Sequence, residues 1–252
     1  MVLELLILTA INYGWKWGMY SPENYPVKNI YDTMAEMYVG NTSDLKRTDR
    51  MNFKEYTFAI KKFLKKHIFF VDNKKSGGYS PEELRNVTKR MIKELGIVGF
   101  VTDPWRSLKH KGRKDNIDAY LEMELNEETR FTINNNIVKI ICHHPPTPIR
   151  NKEKEYNAPS PFELTGGAVW YSMIYNILCI HINLTGNYND TDTEIHVQKI
   201  KQNKLVGVCT KRNNPVMLTF HRRSGRYMEK SGRDPIKEAK NDQIKQMNIE
   251  GF

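Results

Sequence analysis

Residues 96–105, Gly-Ile-Val-Gly-Phe-Val-Thr-Asp-Pro-Trp, restrict the possible folds more than any other stretch of the chain. An apolar run with no polar alternation is what a parallel strand needs when helices cover both of its faces. In open parallel sheets, ligands gather beyond the carboxyl ends of the strands, and Asp103 falls at such an end. Two readings of that aspartate stay open. Asp-Pro is a common way to leave a strand and enter a turn, and an acid at this place also suits a cation bound to phosphate.

The rest of the chain alternates helical and strand periodicities, which calls for an α/β fold with a mainly parallel sheet. The apolar opening run 2–11 reads as a buried helix: it contains Glu4, has no basic leader and is too short to span a membrane. A strand is expected over 16–21, ending in Tyr-Ser-Pro-Glu23-Asn, then helices over 26–37 and 52–65. The second of these ends in the basic cluster Lys61, Lys62, Lys65 and Lys66. After a short strand at 67–71, Ser80-Pro81-Glu82-Glu83 carries a cap residue, a first-turn proline and first-turn acids, so it starts the helix that feeds the Asp103 strand. An acidic helix around 115–127, a buried strand at 137–142, a helix over 166–175 and a strand over 177–182 follow. Segments 194–201 and 215–220 alternate as a terminal hairpin does. From Lys230 onward the chain is charged and poor in apolar residues, and it reads as a disordered tail (230–252) behind one domain (1–229).

A formal net charge of +10 points to a polyanionic partner such as nucleic acid, or to a solvated basic surface. Cys142, Cys179 and Cys209 lack disulfide or metal spacing, which suits a reducing compartment; the first two lie in apolar runs that read as interior strands.

Taken in order, these motifs resemble the C-terminal motor domain of replicative ring helicases, the RecA-like group of DnaB-type and phage primase-helicase enzymes, over residues 1–229. The resemblance implies a P-loop NTPase core that uses ATP or another NTP with Mg²⁺, forms a homo-oligomeric ring, expected to be a hexamer, and travels on single-stranded DNA. It also implies a cytoplasmic protein of phage or prophage origin, with no membrane partner. Tyr20-Ser21-Pro22-Glu23 matches the element whose glutamate polarises the attacking water, making Glu23 the catalytic base. Asp103 would hold Mg²⁺ through water, since Mg²⁺ gives up its hydration shell reluctantly. The strand 138–142 leads to His143-His144-Pro145, where the family senses the γ-phosphate; either histidine fits. A metal site there is disfavoured, because neighbouring strand residues point to opposite faces.

Single-stranded DNA would meet the mobile loop carrying Arg150, Lys152 and Lys154, and a second loop carrying Lys109, Lys111, Arg113 and Lys114. Each loop is equally open to being merely solvated. Gly166-Gly167-Ala168-Val169-Trp170 matches the small-residue motif opening the next helix, where glycine either permits close backbone approach or caps the helix. Lys199-Ile200-Lys201, with Arg226 further on, resembles the cationic finger that reaches a neighbouring subunit's nucleotide. Lys201 stands where most members have arginine, giving a point charge without the planar fork. The alternative is an exposed strand with two lysines. Tyr175 or Asn176 and Ile182 replace an aspartate and an arginine usual in the family.

The phosphate loop G-x-x-x-x-G-K-[ST] occurs nowhere in the 252 residues. The family places it just before the helix matching residues 1–13. The expectation is therefore a RecA-like core lacking its first strand and phosphate loop, inactive alone, with a partner chain or missing exon supplying that loop. A non-catalytic RecA-like DNA-binding or ring-assembly module is the alternative, and an unrelated basic α/β enzyme the third reading.

Overall fold

Tryptophan and phenylalanine rings facing glycines set the register of the central sheet. In the computed structural model, which describes residues 1–72, 78–110, 116–145, 156–182 and 192–249, strands β1 (Trp17–Tyr20) and β3 (Gly99–Thr102) run parallel and pair Trp17 with Gly99 and Gly18 with Phe100. A Cβ on Gly18 would lie 2.6 Å from Phe100 Cδ2, so the ring occupies the space a side chain would need. β2 (Ile68–Phe70) pairs with the other side of β1, and β4 (Val138–Ile141) with β3, giving a four-stranded parallel sheet in the order β2-β1-β3-β4. The expected parallel sheet is thus present. β4, expected to be buried, is half-buried, with Val138 42% exposed, because it is an outer strand that pairs only with β3 among the described residues.

The chain divides into two units, each described by itself. The first comprises 1–109, 135–142 and 221–252. Its core gathers Leu6, Ile7 and Ala10 of helix α1 (Val2–Tyr13), Met34 of α2 (Val27–Val39), and Trp17, Met19 and Val101 from the sheet. The next helix begins as α3 (Phe53–Thr57) under an Asn52/Glu55 capping box, widens into a π-helical stretch Phe58–Leu64, and ends as α4 (Lys65–His67). Ala59 and Leu64, five residues apart, are both fully buried, which is the spacing a π turn aligns. Helix α5 (Pro81–Leu95) starts where expected, with Ser80 and Glu83 forming a capping box.

Strand β8 (Arg226–Glu229) closes the expected domain, and within the expected disordered tail, 230–252, helix α9 (Pro235–Ile249) forms instead. Ile236 is fully buried and Ala239 nearly so, both in the core cluster with α1. Charge on the remaining positions hides this in the sequence, since two well-placed apolar residues suffice to dock a helix whose other faces are solvated.

The second unit comprises 110–134 and 143–220. Helix α6 (Ile117–Asn135) is longer than expected, and α7 (Gly167–Met173) lies where expected. β5 (Asn176–His181) pairs antiparallel with β6 (Asp192–Ile200), which pairs antiparallel with β7 (Val216–His221), so the expected hairpin is present and β5 extends it. The interior-strand reading of β5 does not hold: it is an alternating strand with Leu178 61% and Ile180 42% exposed. A four-residue helix, α8 (Asn203–Val206), follows β6. Among the described residues no helix is long and apolar enough to cross a membrane.

Candidate functional site

Parallel pairing carries two carboxylates to the same end of the first unit's sheet. The ladder continues past the strands, with Asp103 N–H donating to Tyr20 O and Cys142 N–H to Thr102 O, so the segments leaving β1, β3 and β4 lie side by side. Ser21 then leads into a single 3-10 turn, Pro22–Asn24, that holds Glu23. Asp103 Oδ2 accepts from Ser21 Oγ at 3.2 Å and from Asn24 Nδ2 at 3.3 Å, and Asn24 Nδ2 also donates to Ser21 Oγ at 2.7 Å. The motif expected to supply only a glutamate therefore also supplies the neutral donors that hold Asp103. The Asp103-Pro104 and Tyr25-Pro26 bonds are cis.

Glu23 is exposed, and its Oε1 pairs with Arg106, at 3.3 Å from Nε and 3.1 Å from Nη2. Arg106, in the short turn Trp105–Ser107 after Asp103, escaped the sequence reading. Nothing local marks it, because its partner lies 83 residues away. Cys142 was also missed as a neighbour of Asp103. Its thiol donates to the Asp103 carboxylate, and burial first, then that negative charge and hydrogen bond, push its pKa up to about 12.

These residues fit a hard, hydrated cation. Asp103 is half-buried and presents carboxylate oxygen beside a serine hydroxyl and an amide, and Mg²⁺ typically takes one or two carboxylates and keeps several waters. Among the described residues no group of three or more His, Cys, Asp or Glu forms a cage for a softer metal.

In the second unit, His143 Nδ1 lies 3.0 Å from His144 O, and its ring meets Trp170 edge-on at 5.1 Å. His144 is exposed. Trp170 is placed by the Gly166-Gly167 pair. Gly166 caps α7 in the left-handed region (φ 70°), and a Cβ on Gly167 would come within 2.5 Å of Pro161 O, so one glycine caps and the other permits close approach.

Lys199 and Lys201 differ in their surroundings. Lys199 Nζ donates to Tyr171 O and to Ser172 O at the carboxyl end of α7, a favourable place for a cation. Burial, then the Lys201 charge, lower its pKa. Lys201 is exposed, with Nζ 4.0 Å from the centre of the Tyr175 ring.

Arg226, expected near a nucleotide, is buried in the first unit. Its Nε donates to Met37 O at 2.5 Å, Nη2 to Tyr38 O at 3.0 Å, and Nη1 pairs with Asp234 at 2.5 Å, so the guanidinium tethers β8 and the start of α9 to α2. Beside it, Glu4 Oε2 accepts from Tyr227 N–H at 2.9 Å, and burial raises the Glu4 pKa.

Of the expected DNA contacts, Lys109 is exposed at the end of the Asp103 loop, its N–H donating to Tyr79 O. Lys111, Arg113, Lys114, Arg150, Lys152 and Lys154 lie outside the described residues.

No protein-family model matches the chain, and no curated protein matches it. Solved structures do. The ATPase domain of G40P matches with a TM-score of 0.68 at 12% identity, over 90% of this chain and 81% of that one. A DnaB-like replicative helicase, studied with its interactions with primase, matches with a TM-score of 0.65 at 13% identity, over 86% of this chain and 51% of that one. The chain therefore has the fold of a DnaB-like helicase ATPase domain, the RecA-like core expected from the motif order.

Proposed function

We propose that this chain is the motor core of a ring-forming DNA helicase, in which Asp103 holds the nucleotide's Mg²⁺ through water and Glu23 orients the attacking water. The observation that carries this reading is the arrival of both acids at the carboxyl end of adjacent parallel strands, with Asp103 held by Ser21 and Asn24. When bound, Mg²⁺ neutralises phosphate charge. Ser21 and Asn24 fix the Asp103 carboxylate by donating to its Oδ2, and the Cys142 thiol donates to the same carboxylate. Glu23 accepts a proton from water once its carboxylate is released from the Arg106 pair.

His143 or His144 reads the γ-phosphate in this scheme, and Lys201 reaches a neighbouring subunit's nucleotide, with Lys199 holding the strand to α7. The chain works as a homo-oligomeric ring, a hexamer, on single-stranded DNA. Lys109, Lys111, Arg113 and Lys114 on one loop and Arg150, Lys152 and Lys154 on the other contact phosphates. Because these 252 residues contain no G-x-x-x-x-G-K-[ST] loop, the polypeptide by itself turns ATP over negligibly.

The second reading, a non-catalytic DNA-binding or ring-assembly module, is favoured by the Glu23–Arg106 pair, which occupies the base. Single-strand affinity measured with and without Mg-ATP, for the parent and for Asp103→Ala, separates the two. The motor-core reading expects Mg-ATP to shift the affinity and Asp103→Ala to remove the shift. An affinity indifferent to both would support the module.

A further inference from the structure

The basic cluster at the end of the π-helical segment has no part in the proposed nucleotide site or in the two loops. Over 53–67, FKEYTFAIKKFLKKH, the helix carries five lysines, at 54, 61, 62, 65 and 66, against one acid, Glu55. Glu55 is committed to the capping box, its Oε2 accepting from Asn52 N–H at 2.8 Å. Ala59, Phe63 and Leu64 turn into the core, while all five lysines are exposed. Among the described residues no hydrogen bond or ion pair engages any of these lysine side chains.

Two aromatic rings of the same helix are also exposed. Phe53 is 80% and Phe58 55% exposed, although nearby Phe63 is buried against Tyr38. Lys54, Phe58, Lys62 and Lys66 recur every four residues, so exposed cations flank an exposed ring in the sequence of this helix. A helix dipole accounts for cations in the last turn, Lys65 and Lys66, but not for Lys54, Lys61 or two solvated phenylalanines. Unpaired lysines suit phosphates, and flat apolar faces between them suit unstacked bases. An acidic protein surface would use the lysines and leave the rings idle.

We infer that the helix over 53–67 is a single-stranded nucleic-acid contact, with Lys54, Lys61, Lys62, Lys65 and Lys66 on phosphates and Phe53 and Phe58 stacking on bases. It rests on the single-strand part of the proposed function but not on its nucleotide chemistry, and it lies outside the two loops assigned there.

The test is fluorescence anisotropy of a labelled oligothymidylate with the full chain over a range of salt concentrations, without nucleotide. Converting Lys61, Lys62, Lys65 and Lys66 together to Gln should weaken binding and flatten the slope of log affinity against log salt by about 3, since each phosphate neutralised on a single strand contributes about 0.7. Converting them to Arg should keep the parent slope. Phe58→Leu should weaken binding about tenfold with the slope unchanged. All these side chains are exposed, so circular dichroism should match the parent. Parent affinity and slope in the Gln variant would overturn the inference. So would polyglutamate binding as tightly as the oligonucleotide, or a chain that binds no single strand at all. The proposed function fails separately, through the Mg-ATP response of Asp103→Ala.

Discussion

Asp103 shows how far a single residue can be read. Its place at a strand end was legible because an apolar run followed by an acid is local, whereas Glu23 was singled out only by the family resemblance of Tyr20-Ser21-Pro22-Glu23. Their partners were not: Arg106 meets Glu23 across 83 residues, and Cys142 reaches Asp103 only because β4 pairs with β3. The Cys142 thiol, pushed up to about 12 from an ordinary 9.0, gives a direct check. A raised folded-state value means that the folded chain holds the proton more tightly. The contribution is therefore fully present below about pH 9 and is lost as the pH climbs towards 12. Cys179, pushed up to about 11 by burial and by Glu194 and Glu163, follows the same sign over a narrower window. At pH 8 iodoacetamide should modify exposed Cys209 first, with Cys142 and Cys179 protected in the native chain and modified after denaturation. Mass spectrometry of the peptides checks this, and alkylation of native Cys142 as fast as Cys209 would contradict it. Arg226 is the opposite lesson, a residue whose motif suggested a nucleotide and whose guanidinium is spent on Met37, Tyr38 and Asp234. Arg226→Met should cost about 3–5 kcal/mol, because Asp234 stays buried without its partner. Urea unfolding monitored by circular dichroism measures it, and a loss under about 1 kcal/mol would remove Arg226 from the framework.

At the scale of elements, capping signals were the most readable. Ser80, Pro81 and Glu83 announced α5, and the observed capping box is made by two of them. Ser80→Ala should cost about 1 kcal/mol in the same unfolding assay, the usual loss for an N-cap hydroxyl, whereas no change would mean that α5 is held by packing alone. Exposure was the least readable property. A run of Val, Ile and Leu looks alike in a central strand and in an outer one, so β4 and β5 read as interior. Helix α9 failed in the other direction, with Ile236 too isolated in the sequence to announce a core contact. Ile236→Ala should destabilise the chain by about 2–5 kcal/mol, as for other fully buried aliphatic side chains. A disordered tail would tolerate it freely, and an unchanged unfolding midpoint would restore that reading.

For the whole molecule, motif order carried information that no single motif held. Acid after β1, acid after β3, histidines after β4 and a glycine pair opening α7 arrived in the order of a RecA-like core, and the match to the G40P ATPase domain over 90% of the chain has that fold. What the sequence left unread is which residues are occupied by their own neighbours, as Lys199 and Arg226 are, because that depends on contacts made only once the chain is folded. The proposed nucleotide site has its cation end at Asp103 and Glu23. Paramagnetic broadening of backbone amide resonances by Mn²⁺-ATP, recorded on the parent and on Asp103→Asn, tests it most directly. Broadening should centre on Ser21, Glu23, Asn24 and Asp103, and Asp103→Asn should abolish it. Broadening centred elsewhere, or the same broadening in both proteins, would contradict it.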